Sequence, residues 1–248
     1  MSQQQTYNFY AGVAIQGIFE RCTNTGDITI TAGYAGGITC STVNGNPDGT
    51  AAEFCIKNCS NTGNITAICD TEHGVGYAAA ITGRVTSETP IVNCWYSCNL
   101  IQDATAIPAQ NRIIYGALYG PKSNMDLTPV VTNCYYNNNK QVATSSVATG
   151  YTNIHFRNGH VAALLGEPWG QNIDMDSSSP RDEFPVLGSY PVYMLSNTRF
   201  SNFSPFDLNK DGHISIADLT KKVDADKKAG IKEVTNELKT IIDLILEK

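Results

Sequence analysis

The sequence predicts a mainly β chain, a right-handed parallel β-solenoid of about four coils over residues 1–200, followed by a small α-helical module over residues 201–248. Two observations carry this expectation. Two short phrases recur in a fixed order at nearly constant spacing, and the composition changes near residue 200. The first 200 residues hold 23 charged side chains and all eight cysteines, whereas the last 48 hold 17 charged side chains, eight of them lysine, and no cysteine. The boundary falls at "SNTRFSNFSP", residues 196–205.

The first phrase occurs as "YAGVAIQG" from Tyr10, "YAGGITCS" from Tyr34, "YAAAITGR" from Tyr77 and "YGALYGPK" from Tyr115. The second occurs as "RCTNTGDIT", "NCSNTGNIT", "NCWYSCNLI" and "NCYYNNN", around Cys22, Cys59, Cys94 and Cys134. Steps of 37, 35 and 40 residues separate these cysteines. Each phrase is rich in small and β-branched residues and ends in Gly, Asn or "NTG", which supply the positive φ of a sharp corner. Short strands joined by tight corners and repeated at this period favour a solenoid over a propeller.

These residues resemble the GLUG-type repeats of large secreted bacterial surface proteins. The stretch "NGHVAALLGEPWGQNIDMDSSSPRDEFPVLGSYPVY", residues 158–193, resembles the segment that closes such arrays. The resemblance covers about residues 7–195 and lies in the order of phrases; "NTG" is lost from repeats three and four. It implies a surface-exposed β-solenoid and carries no catalytic residues with it. The opening "MSQQQTYNFY" has neither a charged n-region nor an apolar h-region and reads as the start of a fragment.

In a solenoid the four equivalent cysteines stack on successive coils about 4.8 Å apart, as a reduced internal ladder of small hydrophobes. Cys40 and Cys55, flanking the insertion in repeat two, offer an alternative disulfide staple, while Cys69 and Cys98 have no evident partner. "CWYSC" and "CIKNC" lack a histidine at zinc-ligand spacing. Strand alternation expects one ring of each pair Trp95/Tyr96 and Tyr135/Tyr136 to face outward, where an aromatic row would meet a host glycan or protein on the solenoid face; the alternative is that these rings shield the solenoid edge or pack between coils.

The charge pattern excludes several functions. A net charge of −6 without a Lys/Arg stripe argues against nucleic acid, and no apolar run approaches the ~20 residues of a membrane span. The competing reading is a polysaccharide-degrading β-helix enzyme, a lyase or glycoside hydrolase tethered by its tail. It needs convergent carboxylates on one solenoid face, and "DMDSSSPRDEF", with Asp174, Asp176 and Asp182, is the densest cluster. His73, His155 and His160 sit at turns, and neither a nucleophile elbow nor an HExxH motif occurs. The chain therefore reads as non-catalytic.

The most specific motif is "FDLNKDGHISIADL", residues 206–219. Its spacing places Asp207, Asn209, Asp211 and Asp218 at positions 1, 3, 5 and 12 of a calcium loop. The carbonyl of His213 fills position 7, Ser215 position 9, and Gly212 makes the turn at position 6. Carboxylates this close repel one another without a cation, so Ca2+ is the expected cofactor. With Asp218 in place of Glu and a helix following at once, the motif resembles a dockerin repeat, which implies docking to a cohesin-like or other surface protein. A second unit, "DADKKAGIKEVT" from Asp224, departs from the pattern at Lys228 and Thr235. Val234, Leu238, Ile241, Ile242 and Ile245 then follow helical spacing from Ile231 to Leu246, predicting an amphipathic helix. Taken together, the sequence predicts a secreted or cell-surface adhesion module with a structural calcium tail, which docks either to a partner or, through its apolar stripe, onto the end of the solenoid.

Overall fold

The computed structural model describes residues 10–11, 18–31, 33–41, 55–68, 76–85, 89–103, 118–120, 129–140, 147–174, 180–211 and 213–246. They belong to two compact units, Met1–Ile154 and His155–Lys248. The expected boundary near residue 200 lies inside the second, so the closing segment shares a unit with the helical tail.

In the first unit the repeats lie side by side in parallel register. Tyr10 pairs with Tyr34 and Tyr34 with Tyr77, the first residues of three copies of one phrase. Phe19, Ile56, Ile91 and Val131 form one ladder, and Thr23, Ser60, Trp95 and Tyr135 another. The sequence period thus emerges as a hydrogen-bond register, because a slip of one residue would turn each buried side chain outward. Ile56, Ile91, Ile38 and Ile81 are wholly buried between the ladders, with Leu118 nearly so.

The expectation of a single right-handed parallel β-solenoid of about four coils is corrected by the strand pairing. Among the described residues, four separate parallel sheets of three, four, five and three strands are accompanied by two antiparallel pairs and four helices. The antiparallel pairs are Trp169–Gly170 with Val186–Leu187, and Tyr193–Ser196 with Arg199–Ser201. The physical reason lies at the corners. Arg21, Asn58, Asn93 and Asn133, each just before a ladder cysteine, have φ of 57°, 53°, 56° and 52°. A left-handed residue ends a strand, so each sheet holds segments of only two to four residues. Asn tolerates this conformation, and the asparagines bond to one another: Asn93 Nδ2 donates to Asn58 Oδ1 at 2.7 Å and Asn133 Nδ2 to Asn93 Oδ1 at 2.6 Å.

The "NTG" phrase has a steric cause. A Cβ on Gly63 would lie 2.0 Å from the carbonyl oxygen of Gly26, its counterpart one repeat earlier. Only glycine permits that approach.

The cysteines of the ladder pack in the core. Cys59 and Cys94 are fully buried, Cys134 nearly so, and Cys22 is half-buried. All seven described cysteines are free thiols, Cys40 and Cys55 included; Cys69 lies outside the described residues. The Cys59 N–H donates to Cys94 Sγ at 3.4 Å. Burial pushes the Cys94 thiol well above its ordinary value and that of Cys98 up to about 12. Because Cys59, Cys94, Cys98 and Cys134 are all buried, native protein treated with iodoacetamide is expected to leave them unlabelled, with all four modified after unfolding in guanidinium under non-reducing conditions. Peptide mass spectrometry reads the difference, and a thiol still blocked after unfolding would reveal a disulfide.

The exposed aromatic row does not form from these residues. Trp95 and Tyr96 are both buried, as is Tyr136, while Tyr135 is half-buried against Tyr151 with ring centroids 5.7 Å apart. In-register neighbours explain this, since Trp95 lies between Ser60 and Tyr135 on the adjoining strands and is covered from both sides.

In the second unit, α1 (Asn153–Arg157, whose first two residues close the first unit) is followed by α2 (His160–Leu165). Gly159 between them has φ of 87°, and a Cβ there would lie 2.9 Å from Val192 Cγ1. Phe156, Val161, Ala162, Leu165, Trp169 and Ile173 are buried around these helices. The tail supplies α3 (Ile216–Lys228) and α4 (Asn236–Leu246), which pack together. Lys222 joins them by ion pairs to Asp226 at 2.9 Å and Glu237 at 2.6 Å. Of the expected apolar stripe, Ile241 is buried while Leu238, Ile242 and Ile245 are half-buried. The helix starts five residues later than the predicted Ile231 because the Leu238 N–H donates to Thr235 Oγ1 at 3.2 Å, a side-chain cap that leaves Val234 exposed.

Candidate functional site

Residues 207–218 fold as a chain of side-chain-capped turns leading into α3. Asp207 Oδ1 accepts from the N–H groups of Lys210 at 2.7 Å and Asp211 at 3.3 Å. Asn209 Oδ1 accepts from Asp211 N–H at 3.0 Å, and Asp211 Oδ1 from His213 N–H at 2.9 Å. Asp and Asn favour such local caps. Lys210, with φ of 60°, turns the chain at the centre. Gly212 lies outside the described residues.

Ser215 and Asp218 close the loop onto the helix. The Ser215 hydroxyl accepts from Ala217 N–H at 3.2 Å, and Asp218 Oδ2 accepts from Ser215 N–H at 2.9 Å, forming a capping box. Asp218 Oδ1 reaches back to accept from Leu208 N–H at 2.8 Å and Asn209 N–H at 3.0 Å. Asp218 is fully buried. Burial alone would raise its pKa, but the donors Asn209, Ser215 and Leu208 outweigh it and hold the carboxyl below its ordinary value. Asp218 is thus the buried anchor of the loop.

The six predicted ligand residues therefore share one short segment, with different roles. Asp207 and Asp218 are buried, Asn209 and Ser215 half-buried, and Asp211 and His213 exposed. All the side-chain donors at the calcium positions are oxygens, the chemistry of a hard cation. Among the described residues, no group of three or more His, Cys, Asp or Glu side chains is gathered as for a metal ion. Asp218 faces main-chain donors, and Asn209 Nδ2 donates to Asp211 Oδ2 at 2.7 Å. In the second unit, Asp224, Asp226 and Lys228 lie within α3, and Asp226 accepts from the Thr235 hydroxyl at 3.3 Å.

The carboxylates weighed for hydrolysis are engaged elsewhere. Asp174 Oδ1 accepts from Asn202 N–H at 2.8 Å and Oδ2 from the Ser201 hydroxyl at 2.9 Å. Asp182 Oδ2 accepts from Asn172 N–H at 2.6 Å and the Ser189 hydroxyl at 2.9 Å. Asp176 lies outside the described residues, as does His73. His155 and His160 stack edge-on with centroids 5.0 Å apart, and burial, then the neighbouring His155, lowers the His160 pKa.

Sequence reasoning missed Asn202. Its Oδ1 accepts from the N–H groups of Ile173 at 2.8 Å and Asp174 at 2.9 Å, and its Nδ2 donates to the carbonyls of Gln171 at 2.6 Å and Pro191 at 2.9 Å. With the return bond from its own N–H to Asp174, it forms a reciprocal clamp between the closing segment and the strand Arg199–Ser201. An asparagine within "FSNFSP" resembles any loop residue, so no local signal marked it.

Comparison with protein-family models, curated proteins and solved structures gives no match for the chain.

Proposed function

We propose that the chain is a non-catalytic binding module, secreted or displayed at a cell surface, whose helical tail is organised by calcium in the manner of a degenerate dockerin. The observation that carries this reading is the loop at 207–218, where three carboxylates and an amide oxygen follow calcium-loop spacing and two of the carboxylates, Asp207 and Asp218, are buried. Buried carboxylates are costly unless paired with charge or strong donors. A cation held by Asp207, Asn209, Asp211, Ser215 and the His213 carbonyl would supply that charge, with Asp218 serving as ligand or anchor. Because Asp218 already accepts four hydrogen bonds, the site is expected to be weak, in the roughly 10⁻⁴–10⁻³ M range of extracellular modules. Such a site fills only where calcium is abundant, which favours an extracellular setting.

The non-catalytic part is supported by Asp174 and Asp182, whose oxygens accept from main-chain and hydroxyl donors of the fold. Among the described residues, no helix is long and apolar enough to cross a membrane. The tail, tied by Lys222 and capped by Ser215 and Thr235, is the part proposed to meet a cohesin-like or other surface protein.

The test is a calorimetric calcium titration of chelator-stripped protein with a parallel thermal melt. One calcium per chain and a higher Tm are expected, both abolished by Asp207→Ala with Asp211→Ala. Absence of heat and an unchanged Tm at 10 mM calcium would remove the cation from the reading and leave the tail as a hydrogen-bonded helical cap.

A further inference from the structure

A cleft of about 350 Å³ in the second unit is walled by Arg157 from the end of α1, Arg181 from the closing segment and Arg199 from the strand that carries Ser201. The chain contains only six arginines and has a net charge of −6, so half of its guanidinium groups line one concavity against the overall balance. Arg157 is ion-paired to Glu183, to which it donates through Nε at 3.1 Å and through Nη2. Arg181 and Arg199 form no ion pair or hydrogen bond with a described residue. Elsewhere an arginine is absorbed by the fold, as with Arg84, whose guanidinium lies 5.0 Å from the centre of the Tyr34 ring. Two guanidiniums with no ion pair or hydrogen bond to a described residue stand beside a third in one concavity, which raises the local positive potential.

We infer that this cleft binds the carboxylate of an acidic sugar. A guanidinium fork matches a planar carboxylate by two parallel hydrogen bonds, which a point charge such as lysine cannot do. Phe200 and Ile173 add an apolar wall suited to the C–H face of a sugar ring, and the Thr198 hydroxyl adds a polar contact. The volume lies at the lower end of the roughly 300–1,000 Å³ typical of small-ligand sites. Asp174 decides between a sugar and a bare polyanion. Its carboxylate also lines the cleft, held in place by Asn202 and Ser201. Its charge opposes any anion, but it costs least against a sugar that brings a carboxylate to the guanidiniums and offers hydroxyls to Asp174, and most against a chain of phosphates that has no donors. The inference rests on the reading of the chain as a binding module and adds the site and the ligand class.

The experiment is calorimetry of the full chain at low salt with two pairs of probes, trigalacturonate against its methyl ester, and 3′-sialyllactose against lactose. At least one acidic member is expected to bind at least tenfold more tightly than its neutral counterpart. Arg181→Gln with Arg199→Gln is expected to weaken that binding at least tenfold while leaving the thermal melt unchanged, since both side chains are exposed. Added salt weakens binding in the same direction. The inference is overturned if no acidic probe binds, if the neutral partner binds equally well, or if the double variant binds undiminished; the last two outcomes leave the binding-module reading standing. Chromatography of the recovered sugar separates the two claims, because shortened products would overturn the non-catalytic reading while leaving the cleft in place.

Discussion

Replacing Tyr96 by alanine is expected to destabilise the first unit by about 3–5 kcal/mol, whereas Tyr96→Phe is expected to be neutral or to stabilise it by up to about 1 kcal/mol. Tyr96 is fully buried and stacks on Tyr136 with ring centroids 5.6 Å apart and planes 12° from parallel. Truncation to alanine removes the ring from the centre of the core that contains Cys94, Cys98, Cys134 and Ala148, and the short strands around it cannot collapse far to refill the space. The hydroxyl acts in the opposite direction. Among the described residues it has no hydrogen-bond partner, and burial raises its pKa far above the ordinary phenol value. Phenylalanine keeps the ring and removes an unsatisfied polar group. Denaturant unfolding followed by tryptophan fluorescence, with Trp95 as the local reporter, measures both variants. A loss of 2 kcal/mol or more in Tyr96→Phe would show that the hydroxyl is bonded in solution.

Asn202→Ala is expected to destabilise the second unit by about 2–4 kcal/mol, because one truncation removes four hydrogen bonds at a buried position. The cost exceeds that of an ordinary side-chain bond because two main-chain N–H groups and two carbonyls lose their partner together. Asn202→Asp discriminates further. It keeps the acceptor for Ile173 and Asp174 but turns the amide that serves Gln171 and Pro191 into a second acceptor, placing like charge beside Asp174. It should therefore be at least as damaging as alanine near neutral pH and less so in acid, when the introduced carboxyl protonates. Trp169, buried in the same unit, reports the transition. Equal stability of Asn202→Ala and the parent would mean that the closing segment holds itself together without the clamp.

Much of the first unit was legible because its information is local and periodic. A copied phrase places the same side chain in the same register, so Cys22, Cys59, Cys94 and Cys134 could be aligned from their spacing alone, and the turn-forming Asn and Gly named the corners. The division into four sheets was not legible. It depends on the Arg21, Asn58, Asn93 and Asn133 corners interrupting every ladder at the same level, and sequence shows a turn residue without showing whether the sheet continues through it. The burial of both Trp95 and Tyr96 follows the packed alternative and not the alternation of one strand, since coverage comes from the neighbouring strands.

At the candidate site, the order of oxygens along 207–218 and the helix that follows are properties of one short stretch, and the sequence by itself determined them. Tertiary structure alone decided that Asp218 turns to main-chain donors, that Asn202 clamps residues 28 and 29 positions before it, and that Arg157, Arg181 and Arg199 share a cleft. Local spacing constrains turns, caps and strand register because those interactions close within a few residues or repeat identically. Convergence of distant side chains depends on the path of the whole backbone, and no short stretch of sequence contains that path.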